Sequence, residues 1–323
     1  MQTGTEFRDD ARRVSRLPAE TVKRLTEISP MKACYGAFET VTILVLAIGA
    51  AIVWWTPWVV IPAIIIITGR QQACFVLAHD AAHYRMYKNR TLNDVVGRLF
   101  AMPVGISMCT YRVIHRLHHN HLYEERDPDT PLHGGYPRGR AYLAKKLAKD
   151  LIGLTAYKTY SYFFGAPAIN EDAEKVNRPL DDTSPALRKS ARSDRWFVAG
   201  FHIVAPIVAI LAGYGIEYFV LWILPLVTTL QALLRFRAIC EHGAVTDLSS
   251  PLTAARTNLV PGWLRWWMFP HHVNYHVEHH LYPSIPHYNL PACHAKMSEY
   301  GILKQAEIRD VFSTAKLVVA PKV

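Results

Sequence analysis

Four long stretches almost empty of charge constrain this chain more than any other feature. Gly36–Trp55 carries Glu39 as its single charge, and Trp58–Leu77, with Arg70 as its own, follows after a turn at Thr56-Pro57. Each run has 20 residues, enough for a helix to cross a hydrocarbon core about 30 Å thick. A second pair, Trp196–Gly215 and Tyr218–Leu234, is joined by Ile216-Glu217. The expected fold class is all-α, a polytopic membrane protein with four transmembrane helices in two hairpins and a helical cytosolic cap.

Charge distribution gives the orientation. The chain has 36 Lys and Arg against 26 Asp and Glu, a formal charge of +10. Neither Ala33–Gly69 nor Trp196–Leu234 contains a Lys or Arg. The positive-inside rule then places both termini and both large polar regions in the cytosol. Topology accounts for the basic surplus, and no nucleic-acid motif competes with it. An apolar content of 50% excludes a disordered chain. Cysteines at 34, 74, 109, 240 and 293 form no CxxC pair and suggest reduced thiols.

The expected domains are a cytosolic N-terminal tail over 1–32, a membrane domain over 33–295 and a cytosolic C-terminal tail over 296–323. The first tail shows no cleavable signal peptide, and a bacterial inner membrane and an endoplasmic reticulum membrane both fit. Ala141–Lys158 places Leu143, Leu147, Leu151 and Leu154 on one side and Lys145, Lys146 and Lys149 opposite, the pattern of an interfacial helix. Val95–Tyr111 reads as a shallow or re-entrant segment, and 167–194 as a polar connector. Arg70 is expected to snorkel to the interface or to meet a headgroup. Trp263, Trp266 and Trp267 read as an interfacial aromatic belt.

The chemistry lies in the histidines. Of 16, eleven fall in three short segments: HDAAH (His79, His83), HRLHHNH (His115, His118, His119, His121) and HHVNYHVEHH (His271, His272, His276, His279, His280). Positions i and i+4 share a helix face, and i, i+3, i+4 form a triangle on it. His79/His83 fit the first pattern; His115/His118/His119 and His276/His279/His280 fit the second. Neutral imidazole is a common transition-metal ligand. Eight imidazoles from three faces exceed what one tetrahedral zinc uses, so two metals are expected. All three clusters lie beyond span ends on one side of the membrane and can converge there. His133, His202, His287 and His294 read as surface or hydrogen-bonded histidines, and ligation is not the expected role of His121, His271 or His272.

HDAAH, HRLHHNH followed by ERDPDT, and HVEHHLYPSIP together resemble the three histidine boxes of the membrane-bound fatty acid desaturase family, over roughly residues 35–295. That family is similar to membrane hydroxylases and carotenoid ring oxygenases. The resemblance implies a non-haem di-iron centre, dioxygen as oxidant, and two electrons from a separate redox protein. It implies metal ligation by His79, His83, His115, His118, His119, His276, His279 and His280, with His242 of RAICEHG at the place of a further ligand after the fourth span. Some acyl-CoA members carry an asparagine one turn before that histidine; here the position is Ala238. Asp80, Glu241 and Glu278 adjoin ligands and are candidates to accept a ligand ring N–H, with Asp127 and Asp129 as alternatives.

The chain carries neither the HPGG motif of a cytochrome b5 domain nor a CxxC cluster. The expected donor is therefore a separate ferredoxin or cytochrome b5 type protein, and the basic surface suits an acidic ferredoxin. The leading function is a fatty acyl desaturase acting on a long-chain acyl lipid or acyl thioester. The alternative is a carotenoid or other lipid hydroxylase or ketolase. A metal transporter is disfavoured, because transport needs ligands near the bilayer midplane and only His202 lies inside a span.

Overall fold

The structure is a computed structural model and describes residues 15–124, 126–166, 184–245, 247–248 and 250–321. It is mostly helical. The first half contains α1 (Pro30–Val53), α2 (Pro57–Ala82), α3 (Arg90–Ala101), α4 (Met108–Asn120), α5 (Arg140–Leu151) and α6 (Ala156–Phe163). Then follow α7 (Pro185–Leu211) and α8 (Gly215–His242), the latter with a π-helical turn at Phe219–Ile223. The last part holds β1 (Thr257–Leu259), α9 (Gly262–Met268), α10 (His276–Leu281), α11 (Leu290–Glu299), β2 (Ile308–Asp310) and α12 (Val311–Val318).

Proline opens α1, α2 and α7, where its missing N–H would have had no partner anyway. Ser29 and Ser184 cap α1 and α7 by accepting from the backbone N–H of Lys32 and Leu187. Helices α1, α2, α7 and α8 are each long and apolar enough to cross a membrane. Their burial differs: 61% of the apolar window of α2 is buried, against 22% for α1 and 11% for α7. Helix α2 is thus the core of the bundle, while α1 and α7 show Phe38, Val45, Trp196, Ile203 and Leu211 outward.

Glu39 and Arg70, each alone in its apolar run, meet across the α1–α2 pair. Arg70 Nη1 lies 3.3 Å from Glu39 Oε1, its guanidinium sits 4.1 Å from the Trp266 ring centre, and Nη2 donates to the Trp266 carbonyl. Arg70 is 1% exposed. It is an internal ion-pair partner and does not snorkel, because α9 closes over it.

Two helices run past the ends of their apolar stretches. The apolar run ends at Leu77 but α2 continues to Ala82, carrying His79 in its last turn with His83 as the C-cap. Likewise α8 continues past Leu234 to His242. Helix α7 begins at Pro185, so the end of the expected connector is helical; residues 167–183 of that connector lie outside the described residues. Ala141–Lys158 is split between α5 and α6 at Gly153, whose φ of 81° ends the first helix. Val95–Tyr111 is the end of α3, a tight turn through Gly105 (φ 76°) and the start of α4.

Strand is confined, among the described residues, to one parallel ladder pairing Thr257 with Ile308, Asn258 with Arg309 and Leu259 with Asp310. The all-α expectation missed it because three-residue strands leave no alternating pattern to read. Arg256 anchors its base: Nε reaches Glu307 Oε1 at 3.1 Å, and Nη1 donates to the Cys240 and Gly243 carbonyls at 3.1 and 2.9 Å. The C-terminal segment is thereby fastened to the end of α8, where His242 lies.

Candidate metal centre

Four helices deliver histidines to one place. The last turn of α2 supplies His79 and His83, α4 supplies His115, His118 and His119, the end of α8 supplies His242, and α10 supplies His276, His279 and His280. These nine sort into two groups. His79, His83, His115, His119 and His279 place one ring nitrogen each within 4.8 Å of all the others, and so do His118, His242, His276 and His280. The groups abut, with the His119 and His280 ring centres 4.4 Å apart.

The nitrogens face each other at short range. His119 Nε2 lies 2.9 Å from both His115 Nε2 and His279 Nε2. In the second group His276 Nε2 is 2.7 Å from His242 Nε2 and 3.1 Å from His280 Nε2, and His118 Nε2 is 3.2 Å from His242 Nε2. A neutral imidazole has one N–H and one lone pair, so an N–H···N bond can satisfy two facing nitrogens but not three or more that meet, and a cation between them would take the lone pairs. For a metal–nitrogen bond of about 2.1 Å, ligands at right angles lie about 3.0 Å apart and tetrahedral ones about 3.4 Å. The observed 2.7–3.2 Å spacings fit the right-angle arrangement of a five- or six-coordinate ion. The residues present therefore fit metal ions.

Burial acts on charge in the same direction. It holds the His115, His119, His276, His279 and His280 pKa values well below the usual imidazole range, helped by repulsion from neighbouring rings. His83 is lowered by burial to about 3. Rings held neutral keep the lone pair that a metal needs. His118 differs. Burial lowers its pKa too, but the Asp127 and Asp129 carboxylates overcome that and raise it to about 9.

The acids divide by where they stand. Asp127 Oδ1 accepts from His118 Nδ1 at 3.0 Å, and Asp129 Oδ2 lies 3.6 Å from the same nitrogen. Asp127 is itself fixed by the backbone N–H groups of Tyr123 and Asp129, both at 2.9 Å. Asp80 accepts instead from the Nδ1 and backbone N–H of His287, at 2.6 and 3.0 Å, and is 3.7 Å from His79 Nδ1. Glu241 Oε2 is 3.2 Å from Arg237 Nε and 3.9 Å from His276 Nε2. Glu278 binds Thr257 Oγ1 and His294 Nδ1, each at 2.5 Å.

Among the remaining histidines, His121 pairs with Glu124 at 2.8 Å and His271 with Thr40 at 2.9 Å. His202 Nε2 lies 3.0 Å from the Met102 carbonyl oxygen. Sequence reasoning passed over His133. It is 1% exposed, shares a potential metal-binding group with His118 and Asp127, and packs 4.7 Å from the His242 ring. No helical spacing ties it to the boxes, so nothing in the sequence singled it out. His287 is hydrogen-bonded, as expected, but its partner Asp80 stands 207 residues away and no sequence signal named it.

A cavity of about 170 Å³ opens beside the cluster. His79, His115, His118, His242 and His276 form one wall, Phe75, Tyr111, Leu132, Phe163 and Leu234 supply apolar lining, and Lys146, Lys149 and Lys158 also border it. Tyr111 stacks on His115 at 5.3 Å, fixing that ring against the apolar wall.

The fatty acid desaturase family profile matches residues 31–310. Dihydrorhizobitoxine desaturase of Bradyrhizobium elkanii is 29% identical, with 89% of this chain and 82% of that protein covered. A probable fatty acid desaturase of Sorghum bicolor is 29% identical over 81% of this chain and 69% of its own length. The chloroplastic sn-2 acyl-lipid omega-3 desaturase (ferredoxin) of Helianthus annuus is 29% identical over 76% of this chain and 57% of its own.

Proposed function

The chain belongs to the fatty acid desaturase family, and we propose that it is an O2-dependent fatty acyl desaturase with a histidine-ligated pair of irons. The observation that carries this reading is the division of nine converging histidines into a group of five and a group of four beside a cavity lined in part by apolar side chains. In this reading His79, His83, His115, His119 and His279 hold one iron, and His118, His242, His276 and His280 hold the other. The chemistry such a pair supplies is reduction of dioxygen with two external electrons, coupled to removal of two hydrogens from adjacent carbons.

The chain's own residues set the conditions. Asp127 accepts the Nδ1 proton of His118, so the inward Nε2 proton is the one a metal would displace. Burial keeps the other rings neutral. Phe75, Tyr111 and Phe163 give a segment of an acyl chain an apolar side to lie on beside the histidines. Lys146, Lys149 and Lys158 suit a negatively charged carrier or headgroup on the substrate.

In the same reading the four apolar helices form two membrane hairpins with both termini in the cytosol, the histidine-bearing helices form a cytosolic cap, and a ferredoxin-type protein delivers the electrons. A relative whose name includes ferredoxin supports that donor class. The test is expression with a ferredoxin and its reductase, beside His279→Ala, with mass spectrometry of total lipids and pigments. A fatty acid lighter by two hydrogens, absent in the variant, is the expected result. An added oxygen on a lipid or pigment would replace desaturation by hydroxylation or ketolation.

A further inference from the structure

A second and larger cavity, about 600 Å³, shares no lining residue with the first and contains none of the nine clustered histidines. The first turns of α1 (Lys32, Tyr35, Glu39), Arg70 of α2, and Arg265 and Trp266 of α9 line it, together with His271, His272 and His287. Its volume is that of a small-molecule site.

The charges do not balance. Glu39 is engaged by Arg70, which leaves the charges of Lys32 and Arg265 uncompensated by any carboxylate lining the cavity. Lys32 rests its ammonium 5.4 Å from the Tyr288 ring centre. Two buried nitrogens there, Arg70 Nε and His272 Nδ1, have no hydrogen-bond partner. Both are shut off from the cavity, so it is the accessible Lys32 and Arg265 that would meet an anion with several acceptor oxygens.

Position identifies the anion's carrier. Arg70 stands 13 residues along α2 from Pro57, about 20 Å from the turn at 1.5 Å per residue. Lys32 lies 21 residues back from Val53, about 32 Å from the same turn. A hydrocarbon core is about 30 Å thick, with headgroup layers beyond it, so the cavity straddles the edge of the hydrocarbon and Lys32 stands on its headgroup side. From its mouth an outward apolar stripe of Met31, Tyr35, Phe38 and Val45 runs down α1. A free anion has no use for that stripe, whereas an acyl chain does.

We propose that this cavity binds the phosphate headgroup of an anionic phospholipid, with Lys32 and Arg265 as its cationic contacts and the exposed face of α1 as the bed for an acyl chain. The bound lipid would also brace the approach to the histidine cluster, because His287 in the cavity lining holds Asp80, the neighbour of His79.

The experiment uses the full-length protein, delipidated in detergent, with wild type compared to a Lys32→Gln, Arg265→Gln double variant. Thermal stability is followed while phosphatidylglycerol, phosphatidylcholine or inorganic phosphate is added, and native mass spectrometry counts retained lipid. Both substituted side chains lie at the cavity wall, so metal content and elution volume should match the wild type and certify folding. The expected result is a melting shift with phosphatidylglycerol, with about tenfold weaker apparent affinity in the double variant, as for loss of charge-assisted phosphate contacts. Equal shifts with phosphatidylcholine, an equal shift with inorganic phosphate, or an unchanged response in the variant would each overturn the assignment.

Discussion

Asp127→Asn isolates one interaction of the candidate metal centre. Asp127 is a hub: Oδ1 accepts from His118 Nδ1 and the Asp129 N–H, and Oδ2 accepts from the Tyr123 N–H. Asparagine has one carbonyl oxygen and one NH2 group, so whichever way the amide turns, a donor faces a donor. With the NH2 toward Tyr123, one backbone N–H loses its acceptor; with it toward His118, the ring loses the carboxylate that orients it. An unsatisfied buried group costs about 1–3 kcal/mol in stability. Loss of an orienting carboxylate behind a metal ligand typically weakens metal binding about 10- to 100-fold. His118 belongs to the four-histidine group alone, so the loss should be uneven. Iron content after graded chelation should fall to about half in the variant while the five-histidine group stays loaded. Mössbauer spectra should show one iron signal lost. Equal loss from both sites, or wild-type resistance to the chelator, would refute the assignment of Asp127 to the His118 ring.

Gly69→Ala should lower the melting temperature without changing metal content. The added Cβ would sit 2.5 Å from Trp267 Cδ1 and 2.9 Å from the Trp267 carbonyl oxygen, and that indole is pinned by a 2.7 Å bond to the Ile65 carbonyl. Overpacking of about 1–3 kcal/mol should outweigh the roughly 1 kcal/mol that helix propensity returns. Stripping the metal with a chelator should also lower the melting temperature, since nine inward-facing imidazoles then lose what holds them together, and ferrous iron should restore it; an unchanged melt would argue against resident metal. Reduction by an acidic ferredoxin should slow as salt rises, because steering between unlike charges is screened; a salt-independent rate would exclude the basic surface as the docking face.

The parts of the site legible in the sequence are those governed by helical spacing. His115, His118 and His119 converge because i, i+3 and i+4 share a face of α4, and His276, His279 and His280 do so on α10. Glu39 and Arg70 could also have been paired beforehand. They stand 14 residues before Val53 and 13 after Pro57, so an antiparallel pair brings them level. The carboxylates behind the histidines were harder to read, for a definite reason. Asp80, Glu241 and Glu278 adjoin histidines of the cluster in sequence, but adjacent helical residues point about 100° apart, and these three acids make their short contacts with His287, with Arg237, and with Thr257 and His294. Asp127 is nine residues from His118 in an irregular segment, and only there can the chain double back to reach the ring's far nitrogen.

The same contrast explains how the centre is held rigid. All four of its helices contribute histidines from a last turn or a short helix, where backbone hydrogen bonding alone would let the ends fray. Three of these ends are tied by an element distant in sequence. His287 clamps the end of α2 through Asp80; Arg256 takes the Cys240 and Gly243 carbonyls at the end of α8. Glu278 anchors α10 to β1 through Thr257. The acids beside the histidines therefore act on the helices that carry them, while Asp127 acts on a ring. Asp80→Asn and Asp127→Asn should then fail differently. The first should loosen His79 and His83 together and lower the melting temperature with them, whereas the second should release metal from the four-histidine group first. Identical metal loss and melting behaviour in the two variants would show that no such division of labour exists.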